Sequence, residues 1–329
     1  LSIKEFNKIY SLLGIKFDVI SGESFYNDKM ETTIKELKAK KLLKESDGAE
    51  IIDLNEYDLG VVLIKKSDGA TLYATRDITA AIDRNKKYKA GYLFYEVGSE
   101  QTLYFKQLFK VLDLMGYKWA KNCRHIDHGL YLDKDGKKFA TRKGKLVFME
   151  EILDETKELA KKELKKRNKL NEKELEERAL TIARTAIIYG DLKNFRSNNI
   201  IFDIQRFLEF EGHTGPYLLY TYARAKSILR KAKKQNKKLE AKEINEVEKS
   251  LLLALSNFPE VVKQSYHELA PNIIANYAYE LSQKFNEFYH SSPVIGSEQE
   301  SFRLSLVESF AQVLKNSLYL LGIPVLEEM

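Results

Sequence analysis

The chain has 329 residues, 44% of them hydrophobic and 31% charged, which is long enough for about two domains that each bury a core. Its 54 Lys and Arg against 48 Asp and Glu give a net charge of +6, a balance that permits a polyanionic partner without requiring one. The single cysteine, Cys123, excludes an intrachain disulfide and a cysteine zinc site and points to a reducing, cytoplasmic setting; no apolar run approaches the ~18 residues of a membrane span.

The opening residues "LSIKEFNKIY" carry charge where a signal peptide is apolar, and the start at Leu1 without a methionine raises the expectation of an incomplete gene product. "IKEFNKIYSLLG" places Phe6, Ile9, Tyr10 and Leu13 on one helical face and stops at Gly14. "METTIKELKAKKLL" reads as a second helix, and "AEIIDL" and "GVVLIKKSDGATLYATR" read as strands with Asp68-Gly69 as a hairpin turn. Helix "ITAAIDRNKKY", strand "AGYLFYEV" and helix "EQTLYFKQLFKVLDLMG" follow, a β-α-β-α succession whose strands are expected to lie parallel and to open at one rim. From about residue 150 strand patterns give way to segments with apolar residues at spacings of three and four, a helical bundle bounded by joints such as "KNFRSNNIIFD" and "HSSPVIGSEQE". The lysine-rich "RKAKKQNKKLEAKE" reads either as a solvated helix end or as an RNA contact.

Four places carry chemistry-bearing residues. In "DGATLYATRDITAAIDR", Tyr73 and Asp77 flank a strand end, and Asp77 directly before Ile78 is either the N-cap of the next helix or an acceptor for a cationic ligand, with a guanidinium the best two-pronged fit. "YEVGSEQT" repeats that arrangement with a capping Ser99 and with Glu100 and Gln101 in the first helical turn. "DKDGKKFATRKGKLV" is a glycine-flanked basic loop, either an exposed turn or a lid for a triphosphate, without the spacing of a Walker phosphate loop. "EGHTGPYLLYTYARAKSILRK" starts a helix at Pro216 and puts Tyr217, Tyr220 and Arg224 on one face, as core or as a surface that stacks unpaired bases. His125 and His128 could line a nucleotide pocket or be structural, and no histidine pair has metal-protease spacing.

In order and approximate spacing, "GESFYND", "DGATLYATRDITAAIDR", "VGSEQ", "KKFATRKG" and "FEGHTGPYLLYTYAR" resemble the arginyl-tRNA synthetases of class I over essentially the whole chain. The resemblance implies a partial Rossmann-like catalytic domain over residues 1–149, a helical connecting region over 150–205 and a helical-bundle anticodon-binding domain over 206–329, α/β followed by all-α. It implies that Tyr73, Asp77 and Gln101 contact the substrate arginine, and that Gly129 lies beside the adenosine. "KFATR" sits where the class has its KMSKS signature, so that Lys138, Phe139, Ala140, Thr141, Arg142 and Lys143 form the ATP loop, Thr141 standing where the second signature lysine would be. Tyr217, Tyr220, Arg224 and Met329 match positions that face the anticodon.

Implied partners are tRNA(Arg), L-arginine and ATP with Mg²⁺, with no metal site built from protein side chains. Nothing reads as the class's HIGH signature, so the amino-terminal half of the catalytic fold is expected to precede Leu1, and the chain alone is expected to be inactive. A monomer is the expected assembly. The alternatives left open are a non-catalytic tRNA-binding module and, less compatible with a carboxylate in the pocket, a synthetase for another amino acid.

Overall fold

The computed structural model describes residues 2–133, 135–137, 148–167, 170–232, 241 and 243–329. Helix α1, Ser2–Leu13, ends at Gly14, whose φ of +72° suits a residue without a Cβ. It packs through Leu12 and Leu13 against Leu153, Ala183 and Ile187, whereas Phe6 stays 57% exposed rather than forming part of a buried stripe. Residues 1–16 therefore belong to one compact unit with 130–329, and residues 17–129 form the other.

In the 17–129 unit, a 3-10 helix Glu23–Lys29 leads into helix α2, Met30–Ala39. Strands β1 (Lys44–Ser46), β2 (Ala49–Asp53) and β3 (Val61–Lys65) form an antiparallel sheet in the order β1-β2-β3. The expected strand running on to Arg76 is corrected here. Beyond Lys65 only the bridge Lys65–Thr71 remains of it, closed by an Asp68 side chain that accepts from the Ala70 N–H.

Helix α3 then spans Tyr73–Tyr88, five residues longer at its start than expected. Threonines that read as strand formers are satisfied in this helix: Thr75 donates its hydroxyl to the Ile64 carbonyl (2.6 Å), and Thr79 to the Thr75 carbonyl (2.7 Å). Strand β4 (Leu93–Gly98) is followed by a 3-10 turn Ser99–Gln101, helix α4 (Thr102–Leu114), a 3-10 turn Lys118–Asn122 and strand β5 (Cys123–His128). β4 and β5 pair in parallel, the right arrangement for a β-α-β unit, but they form a sheet separate from β1-β2-β3. The core of this unit is Ile34, Leu37, Ile52, Ile64, Ile78, Phe105, Leu108, Val111 and their neighbours.

The other unit is the expected bundle. Strand β6 (Tyr131–Leu132) pairs in parallel with β7 (Ile200–Ile201) around helices α5 (Met149–Arg167) and α6 (Glu172–Leu192). Then come α7 (Ile204–Phe207), α8 (Gly215–Lys231), α9 (Glu246–Ser256), α10 (Phe258–Glu268), α11 (Asn272–Ser291) and α12 (Glu300–Leu320). Helix α8 begins where the sequence indicates, with Thr214 capping the Tyr217 N–H and Pro216 in the first turn. Phe285 of α11 and Phe310 of α12 stack at 3.8 Å in the centre, both wholly buried. No helix among the described residues is long and apolar enough to cross a membrane.

Candidate functional site

Because α3 starts at Tyr73, Asp77 lies in its second turn and is not a cap; the N-cap position is Leu72, which supplies no side-chain bond. Ser99 likewise caps nothing, since Gly98 and Gln101 hold the cap positions of the turn and of α4 without side-chain bonds. Freed from capping, the half-buried Asp77 carboxylate takes a short hydrogen bond from the Tyr104 hydroxyl of α4 on its Oδ2. Asp77 makes no ion pair with any described residue. Burial, and then that bond, push the Tyr104 hydroxyl above its ordinary pKa, so it remains a neutral donor. The Tyr95 hydroxyl is also buried, and burial pushes it up to about 12.

Tyr73, four residues before Asp77 on the same helix, is 70% exposed, and the Arg76 guanidinium lies 5.8 Å from its ring centre. The 3-10 helix Glu23–Lys29 braces this helix, with Arg76 on Glu23 at 2.5 Å and Lys29 on Asp83 at 2.6 Å. Gln101 stands exposed at the N-cap of α4, one turn before Tyr104. The carboxyl ends of the parallel strands β4 and β5 place Gly98, His128 and Gly129 at one rim, the position where open α/β sheets take ligands. There His128 donates from Nδ1 to the Gly129 carbonyl (3.0 Å), and its Nε2 is 3.8 Å from Glu96. His125 is structural: it donates from Nε2 to the Val97 carbonyl (2.9 Å) and stacks on Phe105 at 4.5 Å. Lys138, Phe139, Ala140, Thr141, Arg142 and Lys143 lie outside the described residues. No described cluster of three or more His, Cys, Asp or Glu could hold a metal ion.

In the bundle, Tyr217, Tyr220 and Arg224 line an open cavity of about 1260 Å³ together with Lys162, Lys165 and Lys166 of α5. The Arg224 guanidinium sits 4.9 Å from the ring centres of both Tyr220 and Tyr289, and it bonds the Asn286 Oδ1. Asn286 also donates to the Tyr217 hydroxyl at 2.8 Å. Met329 joins Tyr220 and Arg224 in an adjoining cavity of about 750 Å³, its tail held where Lys226 meets Glu327 at 3.2 Å and Arg230 meets Glu328 at 3.4 Å. Tyr104, Asn286 and Tyr289 are the residues that sequence reasoning missed. Only Tyr104 had a signal, its position one helical turn after Gln101.

A parallel β-α-β unit followed by an all-helical domain with an aromatic and basic groove is compatible with a class I aminoacyl-tRNA synthetase. The chain matches the family described as tRNA synthetases class I (R), catalytic domain, over residues 1–204, and the DALR anticodon binding domain over residues 218–329. It belongs to the arginyl-tRNA synthetase family. An arginine–tRNA ligase of Clostridium botulinum (strain 657 / Type Ba4) is 43% identical over 333 residues, covering all of this chain and 59% of that protein. The crystal structure of arginyl-tRNA synthetase from Plasmodium falciparum superposes with a TM-score of 0.85 at 26% identity, over 100% of this chain and 57% of that one. The Thermus thermophilus enzyme shares the fold, with a TM-score of 0.88 at 24% identity over 97% of this chain and 61% of that one. The chain thus spans 59% of the length of the curated relative it matches.

Proposed function

We propose that the whole protein is an arginine–tRNA ligase acting in the cytoplasm. The arginine carboxylate attacks the α-phosphate of ATP, giving arginyl-adenylate and pyrophosphate, and the 3'-terminal ribose of tRNA(Arg) then displaces AMP. In this reading residues 1–149 serve catalysis, 150–205 connect, and 206–329 hold the anticodon through Tyr217, Tyr220, Arg224 and Met329. Tyr73, Asp77 and Gln101 receive the arginine, Gly129 lies beside the adenosine, and Lys138, Arg142 and Lys143 meet the phosphates, with Mg²⁺ arriving on ATP. Phe139, Ala140 and Thr141 complete that loop. These residues align the reactants and stabilise developing charge.

The observation that carries the reading is Asp77, a half-buried carboxylate without an ion pair among the described residues, held by a neutral hydroxyl on the helix that follows Gln101. Such a group selects a cation, and a guanidinium fills it with paired bonds. In the whole enzyme, Asp77→Asn should lower arginine kcat/KM by about 100-fold, the scale of a charged hydrogen bond, while tRNA binding is unchanged. Equal loss of both functions would favour the non-catalytic tRNA-binding module. The 329-residue chain, spanning 59% of its relative, should by itself show no aminoacylation.

A further inference from the structure

Tyr104 is the third residue of α4, so its ring comes off the helix one turn after Gln101 and reaches across to α3. Its hydroxyl bonds Asp77 Oδ2, while Asp77 Oδ1 takes no hydrogen bond from the described residues. A carboxylate has about four acceptor sites, so one bond to Oδ2 fixes the plane of the group and leaves both oxygens able to accept a forked donor. A lysine in place of Tyr104 would cancel the charge, and a phenylalanine would leave the carboxylate to choose among its rotamers. The ring itself is fixed by an edge contact with Phe105 at 5.5 Å.

We propose that Tyr104 is a positioning residue for substrate arginine: it sets the orientation of Asp77 and thereby the specificity of the pocket for a planar guanidinium. This rests on the reading of Asp77 as the arginine anchor. Tyr104 touches the anchor and not the reacting atoms, so its removal should fall on arginine KM more than on kcat. It couples the helix that carries Tyr73 and Asp77 to the helix that Gln101 opens, which is how residues 24 positions apart come to serve one ligand. The buried Tyr95 hydroxyl cannot substitute, since its own position is fixed by ring contacts with Phe105 (5.2 Å) and Phe109 (5.5 Å).

The test is a double-mutant cycle in the whole enzyme with Tyr104→Phe, Asp77→Asn and the pair, reading steady-state aminoacylation over arginine, ATP and tRNA concentrations. Tyr104→Phe should lower kcat/KM for arginine about 10-fold, the scale of one hydrogen bond to a charged group, with KM for ATP and affinity for tRNA unmoved. In the Asp77→Asn background the same change should cost less than about 2-fold. An equal loss in both backgrounds, or a loss shared by ATP and tRNA, overturns the positioning role. Should Asp77→Asn leave arginine use intact, the anchor reading fails instead, a separate outcome of the same cycle. Replacement of Tyr104 by p-aminophenylalanine keeps a donor at the ring's far end and should restore arginine KM. A folded but unrestored protein refutes the proposal, and this arm decides the matter if the phenylalanine variant does not fold.

Discussion

Arg224 is held in the bundle groove by two rings and an amide, and Arg224→Ala tests what the groove is for. Its guanidinium lies 4.9 Å from two tyrosine ring centres, Tyr220 and Tyr289, and bonds Asn286. Each half-buried ring contact contributes about 1 kcal/mol. Truncation should therefore lower stability by about 2 kcal/mol. It also removes the spacer that sets the two rings apart. If an unpaired base stacks there, losing about 1–3 kcal/mol of stacking corresponds to about 5–150-fold weaker tRNA binding. Arg224→Lys should not restore affinity, because an ammonium lacks the planar face that stacks between rings. The assay is fluorescence anisotropy of labelled tRNA(Arg) with the whole enzyme, alongside thermal unfolding. A dissociation constant within about 2-fold of the parent's, together with a fall in Tm, would refute the stacking role and leave Arg224 as a strut.

Gly215→Ala should be costly, since a Cβ there would stand 2.6 Å from the Thr185 carbonyl oxygen, where α6 and α8 approach backbone to backbone. The expected loss is about 2–3 kcal/mol, or about 5–10 °C in Tm, while Gly91→Ala, with nothing within 4 Å, should shift it by under about 2 °C; equal shifts would contradict the close-approach argument. Burial, then the Lys193 charge, hold the His213 imidazole below its ordinary pKa. The unfolded chain therefore takes up that proton first, and the contribution is fully present above about pH 6.5 and lost as pH falls below it. His213→Gln should flatten that part of the acid-side fall in Tm measured between pH 7.5 and 5, and an unchanged slope would exclude His213 as a source.

The bundle was legible because its helices bury a stripe at the 3.6-residue period, as α11 does with Ile274, Ala278, Leu281, Phe285 and Phe288. Local capping chemistry fixed the start of α8 at Thr214 and Pro216. The start of α3 was not legible, because "TLYAT" favours a strand by propensity. Tertiary bonds from Thr75 to Ile64 and between Thr33 and Thr79 (2.7 Å) overrule that preference. Nor was the sheet arrangement, since β-α-β spacing says that β4 and β5 run parallel without saying that β3 belongs to a different sheet. Of the candidate residues, Tyr217, Tyr220 and Arg224 line one cavity as their spacing suggests, but the partners Tyr104 of Asp77 and Asn286 of Arg224 lie 27 and 62 residues away, a pairing that no local spacing encodes.

The shift of Asp77 from cap to second turn changes what its charge can do. A capping carboxylate is committed to the first free N–H groups of its helix, whereas the Asp77 N–H falls inside the regular ladder that begins with Arg76 donating to the Leu72 carbonyl at 3.3 Å. The nearest cation on its own helix, Arg76, is turned away to Glu23. What remains is a negative charge near a helix start, where the backbone dipoles favour it, oriented by a hydroxyl that cannot neutralise it. Asn is the informative replacement because an amide oxygen can still accept from Tyr104 at nearly the same shape, while the negative charge and one of the two acceptor oxygens are lost, an NH2 donor taking that oxygen's place. A fall in arginine use by Asp77→Asn therefore reads the charge and the paired acceptor together, and the Tyr104 cycle reads their aim.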